Sequence, residues 1–487
     1  MDVVDIWTGR RASALRASLR MSNEAFANRL GAGVRTGANW EAKPDVVLSP
    51  AMQEILDTAL ADAGDAVQRR FGLLLAAAED GAADVLRPAT ATVTTDSRPL
   101  PVAAVEASQA AWREVRQYLI ESGIGLAART ADLYDKQLRV GEVPALTPQA
   151  WLPDAPVALD NLTLRWTANP PVPRVTGEQA EARPTLPLRA PGHAFQRYTA
   201  AIRYLRPPAL FENRHSYRLT DLNWGEGAGE LTFGLATFFD KLDVSEPIAH
   251  ESAQAEMAGD LSWPRLPFRA LVADPFDLSA RIVNPGISTL TIRRNTSDGS
   301  GTFFLLRRDP TQVTNGRHYS LLPAGEFQPA SIATESIQTD LNIWRNMVRE
   351  YSEEMLGHPE HDGSTGTPVD YDVWPFYRDM TEAKNTGRLQ AYALGVILDA
   401  LSLNASVATV TVIDASTFDH LFRDLVATNP EGEVVLSLDN NKSIRGLPFD
   451  QETVTRLITA EPLGQTSAAC LSLAWRHRHS IIGPAST

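Results

Sequence analysis

Three glutamates close together in the last third of the chain have the spacing that metal chemistry needs. The motif R-E-x-x-E-E runs from Arg349 to Glu354 and puts carboxylates at positions i, i+3 and i+4, which share one face of a helix. Carboxylates this close repel one another, and a hard divalent cation relieves the repulsion by taking their oxygens as ligands. The spacing therefore predicts a Mg²⁺ site formed by Glu350, Glu353 and Glu354. The alternative interpretation is a solvated acidic face of a surface helix.

The same motif resembles the second half of the Nudix box, the helix with which Nudix proteins hold Mg²⁺ against a diphosphate. The strand-like segments 289–293 and 302–308 and the turn-containing segment 321–326 are similar to the elements that precede that box. The strand and helix at 407–425 are similar to the last elements of the same fold. The resemblance covers about residues 280–430 and implies an α/β domain with a mixed sheet.

The Nudix resemblance also implies roles for individual residues. By it, Glu350, Glu353 and Glu354 bind Mg²⁺, Glu353 and Glu354 take part in catalysis, and Arg349 orients one glutamate through a salt bridge. The bound metal would withdraw charge from a diphosphate and activate the water that attacks it. The candidate phosphate-binding residues, which follow or end the strands, are Arg307, Arg308 and Arg317.

Several positions depart from the Nudix pattern. The family places a glutamate eight residues before the arginine of the motif, where this chain has Leu341. The interval from Gly325 to Arg349 is longer than in the family, and it contains two acids, Glu335 and Asp340, that could replace the missing glutamate. A domain that binds a nucleotide without efficient turnover fits these departures as well as an active hydrolase does.

The first 44 residues are basic, whereas the whole chain carries a net charge of −14. They contain seven lysines and arginines against four acids. The segment from Ser22 to Gly31 has a helix N-cap residue and a terminal glycine, and a second helix is predicted from Val34 to Ala42. Two short helices joined by a glycine turn are typical of a helix-turn-helix, whose second helix enters the DNA major groove.

The run from Arg16 to Glu41 resembles the N-terminal domain of phage-repressor-like regulators, as found fused to larger domains in actinobacteria. By that resemblance Arg35, Thr36 and Asn39 face the groove, where arginine pairs with guanine and asparagine with adenine. The candidate phosphate contacts, which set position without reading sequence, are Lys43, Arg11 and Arg20. A helical interaction domain that does not bind DNA is the alternative for this module.

Length and composition limit the class of protein. A chain of 487 residues is long enough for several domains, and its acidic balance argues against coating nucleic acid as a whole. The single cysteine, Cys470, excludes an internal disulfide framework, and its apolar surroundings predict a buried thiol. No apolar run approaches the roughly 20 residues of a membrane span, and the N-terminus lacks a signal peptide. We therefore expect a cytoplasmic protein without membrane contact.

The predicted organisation is multidomain, with an all-α helix-turn-helix domain followed by an α/β (α+β) Nudix-like domain with a mixed sheet. The boundaries are 1–78 for the helix-turn-helix domain, 79–105 for a linker, 106–279 for a helical or mixed intermediate region, and 280–487 for the Nudix-like domain with C-terminal helices. Periodicity further predicts helices at about 49–75, 109–133, 340–356 and 381–401.

These features predict a transcriptional regulator. The N-terminal domain would bind a double-stranded DNA operator, as a homodimer, and the Nudix-like domain would sense a phosphorylated metabolite of the nucleoside-diphosphate type. One alternative is a Mg²⁺-dependent Nudix hydrolase of a nucleoside-diphosphate-linked substrate. Another is an interaction protein in which neither module keeps its chemistry.

Overall fold

The chain forms two compact units, Met1–Asp96 and Ser97–Thr487. The computed structural model describes residues 6–19, 21, 26, 30, 40, 43–44, 46–61, 63, 67, 71, 102–208, 211–308, 318–359, 366–426, 428–429, 432–435 and 446–483. Within these ranges no helix has both the length and the hydropathy required to cross a membrane.

The first unit has a helical core. Helix α1 (Gly9–Ser18) starts after Thr8, whose hydroxyl accepts a hydrogen bond from the Arg11 N–H at 3.4 Å, as an N-cap residue does. Helix α2 (Pro50–Ala61) begins where the helical periodicity predicted. Trp40 is buried and packs edge-to-face on Phe26, in keeping with a core role.

The second unit combines helices with several sheets. Its described α-helices are α3 (Val102–Ala131), α4 (Tyr198–Leu205), α5 (Phe238–Met257), α6 (Pro267–Val272), α7 (Thr334–Thr339), α8 (Ile343–Glu350), α9 (Pro375–Asn385), α10 (Ala415–Leu421), α11 (Gln451–Thr459), α12 (Gln465–Arg476) and α13 (Arg478–Ile482). Its described strands are β1 (Arg139–Val140), β2 (Val143–Leu146), β3 (Val157–Ala158), β4 (Leu162–Trp166), β5 (Leu188–Ala190), β6 (His193–Ala194), β7 (His215–Gly225), β8 (Ala228–Thr237), β9 (Gly286–Arg294), β10 (Gly301–Phe303), β11 (Leu305–Arg308), β12 (Tyr319–Leu321), β13 (Ala324–Glu326), β14 (Leu389–Asp399), β15 (Ala405–Asp414), β16 (Thr428–Asn429), β17 (Gly432–Val435) and β18 (Leu447–Pro448).

The largest sheet is mixed and has the strand order β1-β2-β14-β15-β9-β10-β18. Strands β9 and β15 are parallel, whereas the other pairs are antiparallel. Strand β9 pairs with β13 along its first residues and with β10 along its last, so β13 and β10 share one edge. Strands β1 to β3 come from residues 139–158, and the sheet therefore joins the intermediate region to the C-terminal part of the chain.

Smaller sheets flank this one. Strands β7 and β8 form a hairpin, with β4 parallel to β8. Strands β12, β11, β17 and β16 form a second antiparallel sheet. Helix α5 starts with a capping box, in which Thr237 and Asp240 exchange hydrogen bonds between side chain and backbone. The apolar side chains between β7, β8, α5 and the large sheet form the main core.

The helix predicted at 381–401 is wrong over most of its length. Helix α9 ends at Asn385, and β14 then occupies a central position between β15 and β2. Both faces of β14 are largely buried, so its sequence is a nearly continuous apolar run, which periodicity does not distinguish from a buried helix. Gly395, with φ +130°, lies at an irregularity in the pairing with β15.

Cys470 is fully buried on α12, as its apolar neighbours predicted. Burial raises the pKa of its thiol to about 12. The thiol is therefore protonated at neutral pH and is not a nucleophile there.

Candidate functional site

The acidic motif lies across a change of helix type. Helix α8 begins after Asn342, whose side chain accepts a hydrogen bond from the Arg345 N–H at 3.0 Å. It ends at Glu350, and residues Tyr351–Met355 continue as one π-helical turn. The helix predicted at about 340–356 is therefore confirmed over most of its length, although its last turn is π-helical. Because a π turn has i→i+5 hydrogen bonds, it changes the directions of the side chains that follow Glu350 from those of an α-helix.

The π turn is anchored by Tyr351. This side chain is fully buried, and its hydroxyl lies 2.7 Å from Thr291 Oγ1 on β9 and 2.5 Å from Thr411 Oγ1 on β15. Burial raises the pKa of the Tyr351 phenol, so the hydroxyl stays protonated. The parallel strands β9 and β15 at the centre of the sheet thus hold the helix at Tyr351, which directly follows Glu350.

Two of the three glutamates meet at the start of β13. The N–H of Ala324 donates to Glu354 Oε2 at 2.9 Å. The Glu350 carboxylate packs on the α-carbon of Gly325, where a Cβ atom would lie 2.2 Å from the carboxyl carbon. Glu350 and Glu354 thus contact consecutive residues of one strand. Glu353 is half-buried, whereas Glu354 is only 4% exposed.

A buried polar network supports Glu350. Arg349 is 2% exposed and donates through Nη2 to the Gln328 carbonyl at 2.7 Å and to Asn346 Oδ1 at 2.8 Å. Asn346 Nδ2 in turn donates to Glu350 Oε1 at 3.3 Å. Among the described contacts, Asn346 therefore bridges Arg349 and Glu350 by hydrogen bonds to both side chains. Asn346 was not identified from the sequence, although its position three residues before Arg349 and four before Glu350 puts it on the same helical face.

Leu341, at the position of the missing glutamate, and the two acids weighed as replacements for that glutamate lie away from the carboxylate pair. Leu341 is half-buried against the main core. Asp340 is 1% exposed, and its carboxylate accepts hydrogen bonds from the Tyr371 hydroxyl and the Ala330 N–H, both at 2.8 Å. Glu335 is exposed on α7. Asp340 therefore anchors the segment between Gly325 and Arg349 through buried hydrogen bonds to Ala330 and Tyr371.

A complete metal cage is absent from the described residues. No group of three or more histidine, cysteine, aspartate or glutamate side chains is arranged there to hold a metal ion. The set of Glu350, Glu353 and Glu354 as Mg²⁺ ligands, with Arg349 in support, stays a prediction.

The predicted phosphate-binding arginines belong to the second sheet or lie outside the described residues. Arg307 is exposed on β11, between Tyr319 of β12 and Glu433 of β17 in the strand register. Arg308 ends the same strand, opposite Gly432. Arg317 is not among the described residues. The phosphate-binding role of all three stays a prediction.

The predicted DNA contacts fall mainly outside the described residues. Lys43 is exposed, and Arg11 donates from Nη1 to the Ile6 carbonyl at 2.8 Å. The residues of this set that lie outside the described ranges are Arg20, Arg35, Thr36 and Asn39. The helix-turn-helix, its operator and the homodimer stay predictions.

No protein-family model matches the chain, and no curated protein matches it. Among solved structures, the chain is similar to one described as "Crystal structure of NUDIX hydrolase from Alicyclobacillus acidocaldarius". The likeness covers 42% of this chain and 97% of that one, at 13% identity and a TM-score of 0.22. At that TM-score the likeness is weak, and it assigns no activity to this chain.

Proposed function

We propose that the second unit binds a nucleoside-diphosphate-type ligand together with Mg²⁺, and that this binding regulates DNA binding by the first unit. The main support for a ligand site is that Glu354 and Glu350 contact two consecutive residues of β13, Ala324 and Gly325 respectively. Mg²⁺ is commonly held by one or two carboxylates, with water and phosphate oxygens completing the octahedron. Two carboxylates at one strand end fit that requirement.

Sensing is favoured over hydrolysis by the surroundings of the two carboxylates. Glu354 is buried and already accepts a hydrogen bond from a backbone N–H, and Leu341, at the position of the missing glutamate, is half-buried against the core. Fewer acidic groups are thus available to hold metal and activate water than in the full motif. The Mg²⁺-dependent hydrolase remains the second candidate because the R-E-x-x-E-E motif is complete in the sequence.

The first experiment measures ligand binding by calorimetry on the full chain. A panel of nucleoside-diphosphate compounds is titrated with and without Mg²⁺, into the wild type and into Glu350→Gln and Glu354→Gln. The control is Glu226→Gln, at an exposed glutamate in the turn between β7 and β8. We expect Mg²⁺-dependent binding of at least one compound, weakened in both site variants and unchanged in the control.

The same samples distinguish a sensor from an enzyme. Release of phosphate or nucleotide that disappears in Glu354→Gln would make the protein a hydrolase. Binding that does not need Mg²⁺, or that both site variants leave unchanged, would contradict the proposed site.

The regulatory part requires a coupling between the two ligands. A bound metabolite changes DNA affinity only if it binds the DNA-competent and DNA-incompetent states unequally. A DNA sequence selected by the full chain from a random library would be titrated with protein, with and without the bound compound. A change in DNA affinity supports regulation, and an unchanged affinity would reduce the second unit to a separate binding module.

A further inference from the structure

Asn346 lies where helix α8, the chain leaving β13 and the Glu350 carboxylate come together. Its side chain is 0% exposed. The Oδ1 atom accepts from Arg349 Nη2 at 2.8 Å and from the Gln328 N–H at 3.3 Å, and Nδ2 donates to Glu350 Oε1 at 3.3 Å. An amide has one acceptor oxygen with two lone pairs, and here both are used.

Arg349 is a buried cation that Asn346 helps to stabilise through a hydrogen bond. Its guanidinium is buried, and its Nε and Nη1 atoms are without a hydrogen-bond partner among the described residues. The bonds it does make, from Nη2, go to Asn346 and to the Gln328 carbonyl. A buried cation is costly unless neighbouring dipoles and charges compensate it. The Asn346 amide links the two charges, because its oxygen accepts a hydrogen bond from the Arg349 guanidinium and its N–H group donates one to the Glu350 carboxylate.

The same contacts determine how far α8 lies from β13. Gln328 follows β13 by two residues, and both its N–H and its carbonyl are bound by this pair of α8 side chains. Gly325, within β13, meets the Glu350 carboxylate. The asparagine therefore holds the strand and orients the carboxylate that lies against it.

We propose that Asn346 is a positioning residue of the carboxylate site, which holds the Glu350 carboxylate in the orientation that binds a divalent cation. This inference rests on the proposed function, since it concerns the metal affinity of that site. Asn346 has no exposed surface, so it does not touch a ligand and acts through Glu350. Partners that orient a metal ligand typically contribute about 10–100-fold to metal affinity.

The test measures Mn²⁺ binding to the full chain by electron paramagnetic resonance, with Mn²⁺ as the probe for the Mg²⁺ site. Asn346→Ala removes the amide, and Asn346→Leu removes it while keeping most of the side-chain volume. The matched controls are Gln465→Ala and Gln465→Leu, at another buried amide on α12. The Gln465 side chain accepts a hydrogen bond from the Ala400 N–H at 3.0 Å. We expect at least about ten-fold weaker Mn²⁺ binding in the Asn346 variants and wild-type affinity in the controls.

A second measurement separates positioning from loss of stability. The melting temperature of each variant is compared with and without Mn²⁺, so that destabilisation by the substitution itself cancels. In a double-mutant cycle with Glu350→Gln, Asn346→Ala should cause little further loss of affinity, because the partner on which it acts is gone. Full additivity, or unchanged Mn²⁺ affinity in both Asn346 variants, would overturn the positioning role.

The outcomes distinguish this inference from the proposed function. If the wild type does not bind Mn²⁺, the metal site fails and the positioning role fails with it. If the wild type binds and Glu350→Gln weakens binding, but the Asn346 variants bind normally, only the positioning role fails.

Discussion

The Glu350 carboxylate occupies the space that a side chain on Gly325 would need. A Cβ atom at Gly325 would lie 2.2 to 2.3 Å from the carboxyl carbon and both oxygens, well inside contact distance. Because Gly325 has no side chain, helix α8 can approach strand β13 closely enough for the Glu350 carboxylate to contact the strand. The helix and the strand are separated along the chain by the interval before the motif. This contact favours a glycine at that position of β13, although its φ is not positive.

Gly325→Ala should therefore displace Glu350. The added methyl forces the Glu350 carboxylate, the end of a flexible and half-buried side chain, to move, so we expect a loss of only about 1 kcal/mol or less in the free energy of unfolding. Mn²⁺ affinity should fall as well. Urea denaturation and metal titration measure the two effects. Gly225→Ala is the control, since a Cβ at that glycine in the β7–β8 hairpin meets nothing within 4 Å. Equal behaviour of the two variants would contradict the contact.

Tyr351→Phe should destabilise the second unit. The change keeps the ring but removes the hydroxyl that bridges Thr291 and Thr411, at a cost of about 1–2 kcal/mol in urea denaturation. Tyr392→Phe is the matched control, because its half-buried hydroxyl makes one hydrogen bond, to Gln390 Oε1 at 3.2 Å. We expect a smaller effect there. If Tyr351→Phe is as stable as the wild type, the hydroxyl does not anchor the π turn.

His250 should make the protein less stable in acid. Burial, and then the nearby Arg116 cation, lower the pKa of His250 to about 3, and Tyr198 Oη lies 2.8 Å from its Nδ1 atom. The unfolded chain takes up a proton on this imidazole near its ordinary pKa of about 6.5, whereas the folded chain does not. Stability is therefore lost as pH falls from about 6.5 towards 3, by up to about 1.4 kcal/mol per pH unit.

The measurement is the slope of unfolding free energy against pH, from urea denaturation between pH 7 and pH 4. In His250→Gln the slope should be shallower than in the wild type, because one proton uptake by the unfolded state is gone. His479→Gln, at an exposed histidine on α13, is the control and should keep the wild-type slope. Identical slopes in all three proteins would show that His250 titrates alike in the folded and unfolded states.

Arg35→Ala and Asn39→Ala should weaken specific DNA binding by about 1–3 kcal/mol each, if these side chains read bases. Fluorescence anisotropy with a DNA sequence selected by the full chain measures the effect. Arg165→Ala, at an exposed arginine on β4, provides a control in the second unit with the same charge change as Arg35→Ala. Unchanged affinity in both N-terminal variants would remove them from base recognition.

Local patterns predicted part of the fold correctly. Strands β9 and β15 were expected from strand-like segments, and threonines alternate with aliphatic residues along both of them, a pattern visible within a few residues. Strand β14 was taken for a helix because its sequence is a nearly continuous apolar run without the alternating threonines of β9 and β15, although all three strands are buried on both faces. Burial on two sides depends on distant segments, so a short window of sequence does not contain it.

For the candidate site, too, one part was predictable from the sequence and another part depends on the tertiary structure. The sequence by itself determined that three glutamates and an arginine follow one another on an amphipathic segment, because spacing along a helix is a local property. Only the tertiary structure decided which of them meet. The Tyr351 hydroxyl holds a π turn to Thr291 and Thr411, each sixty residues away, and that turn brings Glu354 to the N–H of Ala324. Hydrogen bonds over such separations form only when the sheet and the helix have packed together, and this packing sets the positions of the carboxylates.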